Sequence, residues 1–339
     1  MSKFVGPLMS DIKRSRVMNK IHVTMMFAVL ICASSSALGD SVPSRIPSIE
    51  TQPKYAGTSN YTSYVPQPSK RVRDEVLRIS NNGSFISRCL RMITREGKSK
   101  NFETITGQDG LTFGITDFAT DGGVESFMVT INKYFPQEFE EAFGSNAQQI
   151  LDATWIKANN AGGKGKRAND NGLVKILWVR KGLDSILTNR HIYGAQLENF
   201  AQGKVEPSLS TFQANGFKEE FTLAAMVGIA NSRGSRGMRA DLIKAMSGVA
   251  SSAVNRERLI VQNLLRNYVE NDPHPGDGDK DLLEKGFAGS SQLTETHLGH
   301  RGRRAYMIFK LFPLSSSKMY SELGDFNLAA DERLPQISH

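Results

Sequence analysis

Two short stretches carry residue types from which an acid–base site could be built. The first is Thr94-Arg95-Glu96-Gly97, at the end of a helical apolar pattern. The second runs from Gly107 to Phe118 and holds Asp109, Thr112, Thr116 and Asp117 among glycines. A carboxyl group closing an amphipathic helix, faced by a Gly/Thr-rich hairpin with further acids, is an arrangement that cleavage of a glycosidic bond requires. One carboxylic acid gives its proton to the leaving oxygen, and a second group holds a water or stabilises the oxocarbenium ion. Packed against the helix's apolar face and near the negative end of its dipole, Glu96 is expected to have a raised pKa. A Glu-Gly pair at a helix end is by itself ordinary surface chemistry. The hairpin beside it makes the functional reading the stronger one.

The elements that must position these groups are legible in outline. Phe85, Ile86, Cys89, Leu90, Met92 and Ile93 recur at helical spacing, with Ser84 as N-cap and Gly97 as C-terminal stop. Residues 98–118 lose that period and fill with Gly, Thr, Asn and Asp, which is hairpin and loop chemistry. Val124, Phe127, Met128 and Ile131 restart a helix. Further helices are expected near 137–143, 146–158, 173–188, 218–231, 238–250 and 254–270, with a last apolar segment near 304–312. The fold class is therefore α+β, mainly α, with a small β-hairpin facing the first core helix.

The segment resembles the lysozyme-like superfamily of glycoside hydrolases. The run Asp109-Gly110-Leu111-Thr112-Phe113-Gly114-Ile115-Thr116 is similar to that of phage-type lysozymes and endolysins. The continuation from Gly114 to Gly123 is similar to the post-hairpin segment of bacterial chitosanases. The likeness is specific over about residues 84–130 and only architectural beyond. It implies a lysozyme-like fold, Glu96 as general acid, Asp109 as second acid and Thr112 as a residue positioning water. Aligned in the chitosanase manner, the second acid falls near Gly107, which has no carboxylate, so Asp117, Asp121 and Glu103 are substitutes. A lytic mechanism, which needs mainly one Glu, stays open. The implied activity is cleavage of β-1,4 bonds in an amino-sugar polysaccharide, peptidoglycan first and chitosan second. A carbohydrate-binding protein that keeps the fold without catalysis is the third reading. No cofactor is implied.

The N-terminus reads as an export signal. Lys13, Arg14, Arg16 and Lys20 precede an apolar stretch from Ile21 to Ala33, and Ala37 and Gly39 suit cleavage after residue 39. Met18 is the better start. The stretch is shorter than the ~20 apolar residues of a membrane span. Residues 40–70, rich in Pro, Ser, Thr and Tyr, read as a linker or disordered arm, residues 71–315 as the catalytic domain and residues 316–339 as a tail. The expected product is a secreted or periplasmic monomer with no stable membrane span.

Charge follows the same division. The whole chain has 42 Lys+Arg, 34 Asp+Glu and a net charge of +8. Beyond residue 39 the excess is +4, with Cys89 the one remaining cysteine. Such a balance fits an anionic wall better than a nucleic-acid partner, which would need a concentrated basic face. Arg233 and Arg236, with Arg239, lie in a Gly/Ser-rich break between helices and are candidates for contact with an anionic polymer. Asp117 and Asp121 are candidates for contact with substrate.

Other signals fall short. Gly162 to Arg167 lacks the spacing of a phosphate loop. Asp272, Asp277, Asp279 and Asp281 fail the calcium-loop pattern and read as a solvated turn. His297 and His300 have no third ligand, so no metal site is assigned. Trp155 and Trp178 read as core.

Overall fold

The structure is a computed structural model, and it describes residues 84–96, 101–106, 111–116, 118–119, 123–159, 173, 176–189 and 191–319. All belong to the chain's compact unit Ser48–His339. The export signal and arm read from the sequence lie outside the described residues. So do Asp109, Asp117 and Asp121.

The first helix, α1 (Phe85–Thr94), forms where its period demands. The Ser84 hydroxyl accepts the Ser87 amide at 3.1 Å, and Phe85, Ile86, Cys89, Leu90, Met92 and Ile93 are all buried. Each large apolar side chain so buried contributes about 1.5–3 kcal/mol. Three two-residue strands follow: β1 (Ile105–Thr106), β2 (Thr112–Phe113) and β3 (Phe118–Ala119). They pair antiparallel in the order β1-β2-β3, with Thr106 opposite Thr112 and Thr112 opposite Ala119.

The rest is helical: α2 (Gly123–Tyr134), α3 (Pro136–Phe143), α4 (Ala147–Leu151), α5 (Ala153–Asn159), α6 (Leu177–Thr188) and α7 (Ile192–Phe200). A π-turn at Ala201–Val205 leads into α8 (Glu206–Ala214). Then come α9 (Glu220–Ser247), α10 (Arg256–Glu270), α11 (Asp279–Phe287) and α12 (His300–Leu311). The mainly α class agrees with the sequence. No helix among the described residues is long and apolar enough to cross a membrane.

Two apolar clusters organise these elements. One gathers α1 with α8 to α12, and the other gathers the sheet with α2 to α6. The chain between them serves both. Tyr193, Leu197 and Phe200 of α7 enter the first cluster, while Ile192 and Ala195 enter the second. At the seam Gln196 is wholly buried. Its amide donates to the Phe102 carbonyl at 2.8 Å and its oxygen accepts the Ile115 amide at 2.9 Å. One side chain thus satisfies two buried backbone groups, one on each side of the β1–β2 turn.

Helix α9 is the centre of the first cluster. From Glu220 to Ala230 every residue is buried, the mark of a helix enclosed on all sides. At Gly234, with φ 69° and ψ 162°, the helix kinks. Only glycine takes that backbone readily. Beyond the kink the Ser235 hydroxyl reaches the Gly203 carbonyl at 3.0 Å. That carbonyl lacks its usual α-helical donor because the residue four on is Pro207, which has no N–H.

Two regions depart from the sequence reading. The stretch 192–214 forms α7, the π-turn and α8, none of which the periodicity suggested. Residues 271–281, read as a solvated acidic turn, are in part buried (Asp272 is 6% and Asp279 7% exposed) and run into α11, which the periodicity did not suggest either. Asp279 accepts the amides of Gly276 and Gly299, each at 2.9 Å. Asp272 accepts those of His274 and Arg301. These two acids supply the acceptors that a helix N-terminus needs, at the head of α12. At the far end, Lys318 and Met319, placed in the tail by sequence, still bond the start of α9.

Gln196→Leu keeps the shape of the side chain and leaves the Phe102 carbonyl and the Ile115 amide buried without partners. At about 1–3 kcal/mol each, unfolding free energy is expected to fall by about 3 kcal/mol, read from the midpoint of urea denaturation.

Candidate functional site

Glu96 is placed by the way α1 ends. The helix stops at Thr94, and both Arg95 (φ 51°) and Glu96 (φ 60°) take left-handed backbone. The expected stop was Gly97, but two side-chain-bearing residues make the cap. The Arg95 amide bonds the Met92 carbonyl at 3.4 Å and the Glu96 amide bonds the Arg91 carbonyl at 2.8 Å, the paired bonds of a Schellman end. Left-handed backbone costs a side-chain-bearing residue about 1–2 kcal/mol. Two in succession are strain of the kind that gathers at functional sites.

This cap turns Glu96 back over the last turn of α1. Its Oε1 lies 2.9 Å from Arg91 Nη2 and 3.1 Å from Lys310 Nζ on α12. Arg95 leaves in another direction and pairs with Glu295. Burial pushes the Glu96 carboxyl up, but the hydrogen bonds and charges of Lys310 and Arg91 outweigh it, so the net pKa is below the ordinary glutamate value. The expected upward shift is therefore corrected. Two cations from α1 and α12 win over burial, because each sits at hydrogen-bonding distance from the same oxygen.

Thr112 is on β2 and buried. Of the substitute acids, Glu103 is the one described. It follows Phe102, which stacks on Tyr193 with ring centroids 4.1 Å apart, and its Oε1 accepts the Tyr193 hydroxyl at 2.9 Å. The sheet segment is thus tied to α7 through Glu103, Phe102 and Ile115. Arg233 pairs with Asp241 at 2.7 Å, and Arg236 is exposed. Neither bonds Glu96. The Arg233–Asp241 pair spans the kink at Gly234.

Lys310 and Arg91 escaped sequence reasoning as members of the site. Arg91 is a single charge on an apolar-period helix, and Lys310 closes the last apolar segment, with no spacing that links it to Glu96. Trp155 and Trp178 are half-buried and pack on each other with centroids 5.2 Å apart, on the edge of the second cluster. The chain matches no family model, no curated protein and no solved structure.

A carboxylate with a depressed folded-state pKa stabilises the fold above its unfolded pKa, and that contribution is lost as pH falls through the lower folded value. Lys310→Met is expected to move the Glu96 carboxyl titration to higher pH, followed by side-chain carbon NMR. It should also shrink the acid-induced loss of stability. An unchanged titration midpoint would count against the pair.

Proposed function

We propose that the protein is a glycoside hydrolase that cleaves β-1,4 bonds in an amino-sugar polysaccharide, with Glu96 as proton donor. The observation that carries this reading is the strained cap of α1. It fixes a half-shielded carboxylate at the helix end, one loop before the three-stranded sheet that carries Thr112. Peptidoglycan is the preferred substrate. The described side chains against Glu96 are cationic, Arg91 and Lys310, which suits an anionic polymer and repels chitosan. Asp109 remains the proposed second acid and Thr112 the proposed positioner of water.

The electrostatics give this enzyme an acid profile. With Arg91 and Lys310 beside it, Glu96 is ionised at neutral pH and carries a transferable proton only under acid conditions. The active form is the protonated one, so kcat/KM falls as pH rises through the free-enzyme pKa of Glu96. Lys310→Met raises that pKa and is expected to carry the falling limb to higher pH.

The direct test is fragment analysis by mass spectrometry on purified peptidoglycan and on chitosan. Glu96→Gln should lose about 10²–10⁴-fold in rate. Anhydro ends would mark a lytic route and reducing ends hydrolysis. Cleavage unaffected by Glu96→Gln would overturn the assignment. Binding of peptidoglycan without cleavage by the wild type would favour the non-catalytic carbohydrate-binding reading.

A further inference from the structure

Helices α1, α9 and α12 meet closely at Gly228. A Cβ there would lie 3.2 Å from Ile308 Cδ1 and 3.3 Å from Met92 Cε. The directions of the three helices are set by their other contacts. Arg88 pairs with Glu220 and Met92 meets Gly228, so α1 and α9 run the same way. The Phe221 and Phe309 rings lie 5.5 Å apart, and Ser232 and Arg301 both meet Tyr268 of α10, so α12 runs against them. One turn beyond the meeting point stand Arg95 at the C-cap of α1, Asn231 on α9 and Arg304 on α12.

At that level three buried polar atoms have no hydrogen-bond partner: Arg95 Nε, Asn231 Oδ1 and Arg304 Nη1. Arg304 is the unusual one. Its side chain is buried, with the residue 7% exposed, and among the described residues it has neither hydrogen bond nor ion pair. Among the described residues no carboxylate is among the charges that act on it; Tyr268 and Arg95 are. Glu295 pairs with Arg95, and Asp272 and Asp279 accept backbone amides at the head of α12. Tyr268 is held by the Ser232 hydroxyl at 2.6 Å, under the Arg301 guanidinium 5.1 Å above its ring. A buried cation without a counter-charge is among the most costly things a fold can hold. Here burial pushes the Arg304 guanidinium below its ordinary range; Tyr268 opposes that shift and Arg95 adds to it.

We propose that this junction is an anion-binding site, in which Arg304, with Arg95 and the Asn231 amide, takes a compact oxyanion, a carboxylate or a phosphate. The guanidinium fork matches either group with two parallel N–H donors. Turned over, the Asn231 amide presents its NH₂ group as a further donor. One uncompensated positive charge calls for one negative charge, and a carboxylate or a singly charged phosphate supplies it. The site is separate from Glu96, which faces Arg91 and Lys310, and it does not depend on the glycosidase reading.

The test uses the full chain, ¹⁵N-labelled, titrated with sodium phosphate and with sodium acetate against sodium chloride at equal ionic strength. A saturable shift of the Arg304 Nε–H resonance is expected with phosphate, acetate or both, and none with chloride. Which salt saturates identifies the anion class. Arg304→Met removes the buried charge without leaving a hole, and about tenfold to hundredfold weaker binding is expected, the loss of charge-assisted hydrogen bonds. The thermal midpoint should rise with the binding salt in the wild type and not in the variant. No saturable shift in the wild type would overturn the proposal. So would an equal salt-induced rise in midpoint for Arg304→Met. If that variant does not fold, the wild-type resonance decides alone.

Discussion

The first half of α9 is enclosed on every side, and this one constraint organises much of the molecule. A helix buried from Glu220 to Ala230 must be surrounded, and α1, α8, α10 and α12 are the surround. Its sequence shows how close the packing is. Ala224, Ala225 and Gly228 thin the helix where neighbours press in, and Phe221 and Met226 fill the wider gaps. The same burial raises the stakes for any charge in the interior. Glu220 is tolerated because Arg88 from α1 reaches it while stacking over the Phe312 ring. The pair links the start of α1, the start of α9 and the end of α12.

The electrostatics of Glu96 follow from that arrangement. Lys310 reaches the carboxylate because α12 packs against α9 and α1 at once. Burial is the largest single influence on Glu96 and acts to keep its proton, but the hydrogen bonds and charges of Lys310 and Arg91 together exceed it. Electrostatic character here is set jointly by Arg91 of the same helix and by Lys310, which packing brings from α12.

Much of the helical framework was legible because its period is strong. α1, α2, α3, α10 and α12 are amphipathic, and Ser84 announces α1. The two halves of α9 could be read from an apolar run and a glycine break. The missed run 192–214 has little amphipathic contrast, since α7 feeds two cores and buries most of its faces. A proline and a π-turn then scramble what period is left. The acids at 272 and 279 misled for another reason. Composition marks such a stretch as solvated, and only the fold shows that backbone amides converge on each carboxylate. For the proposed site, residue types and chain order single out Glu96 and Thr112, while the positions of Lys310 beside Glu96 and of Arg304 at the helix junction come from helix packing that no short-range pattern encodes.

The head of α12 carries one more consequence. A side chain at Gly302 would overlap Asp279 Oδ1, and one at Gly299 would lie 2.5 Å from the His274 carbonyl and 2.8 Å from Asp279 Oδ2. The carboxylate and these bare backbones form an indexing pin that sets how far α12 is inserted and how it is rotated. Lys310 and Arg304 ride on that shaft, on different faces. The ion pair at Glu96 and the charge at the helix junction are thus phased by an aspartate that touches neither.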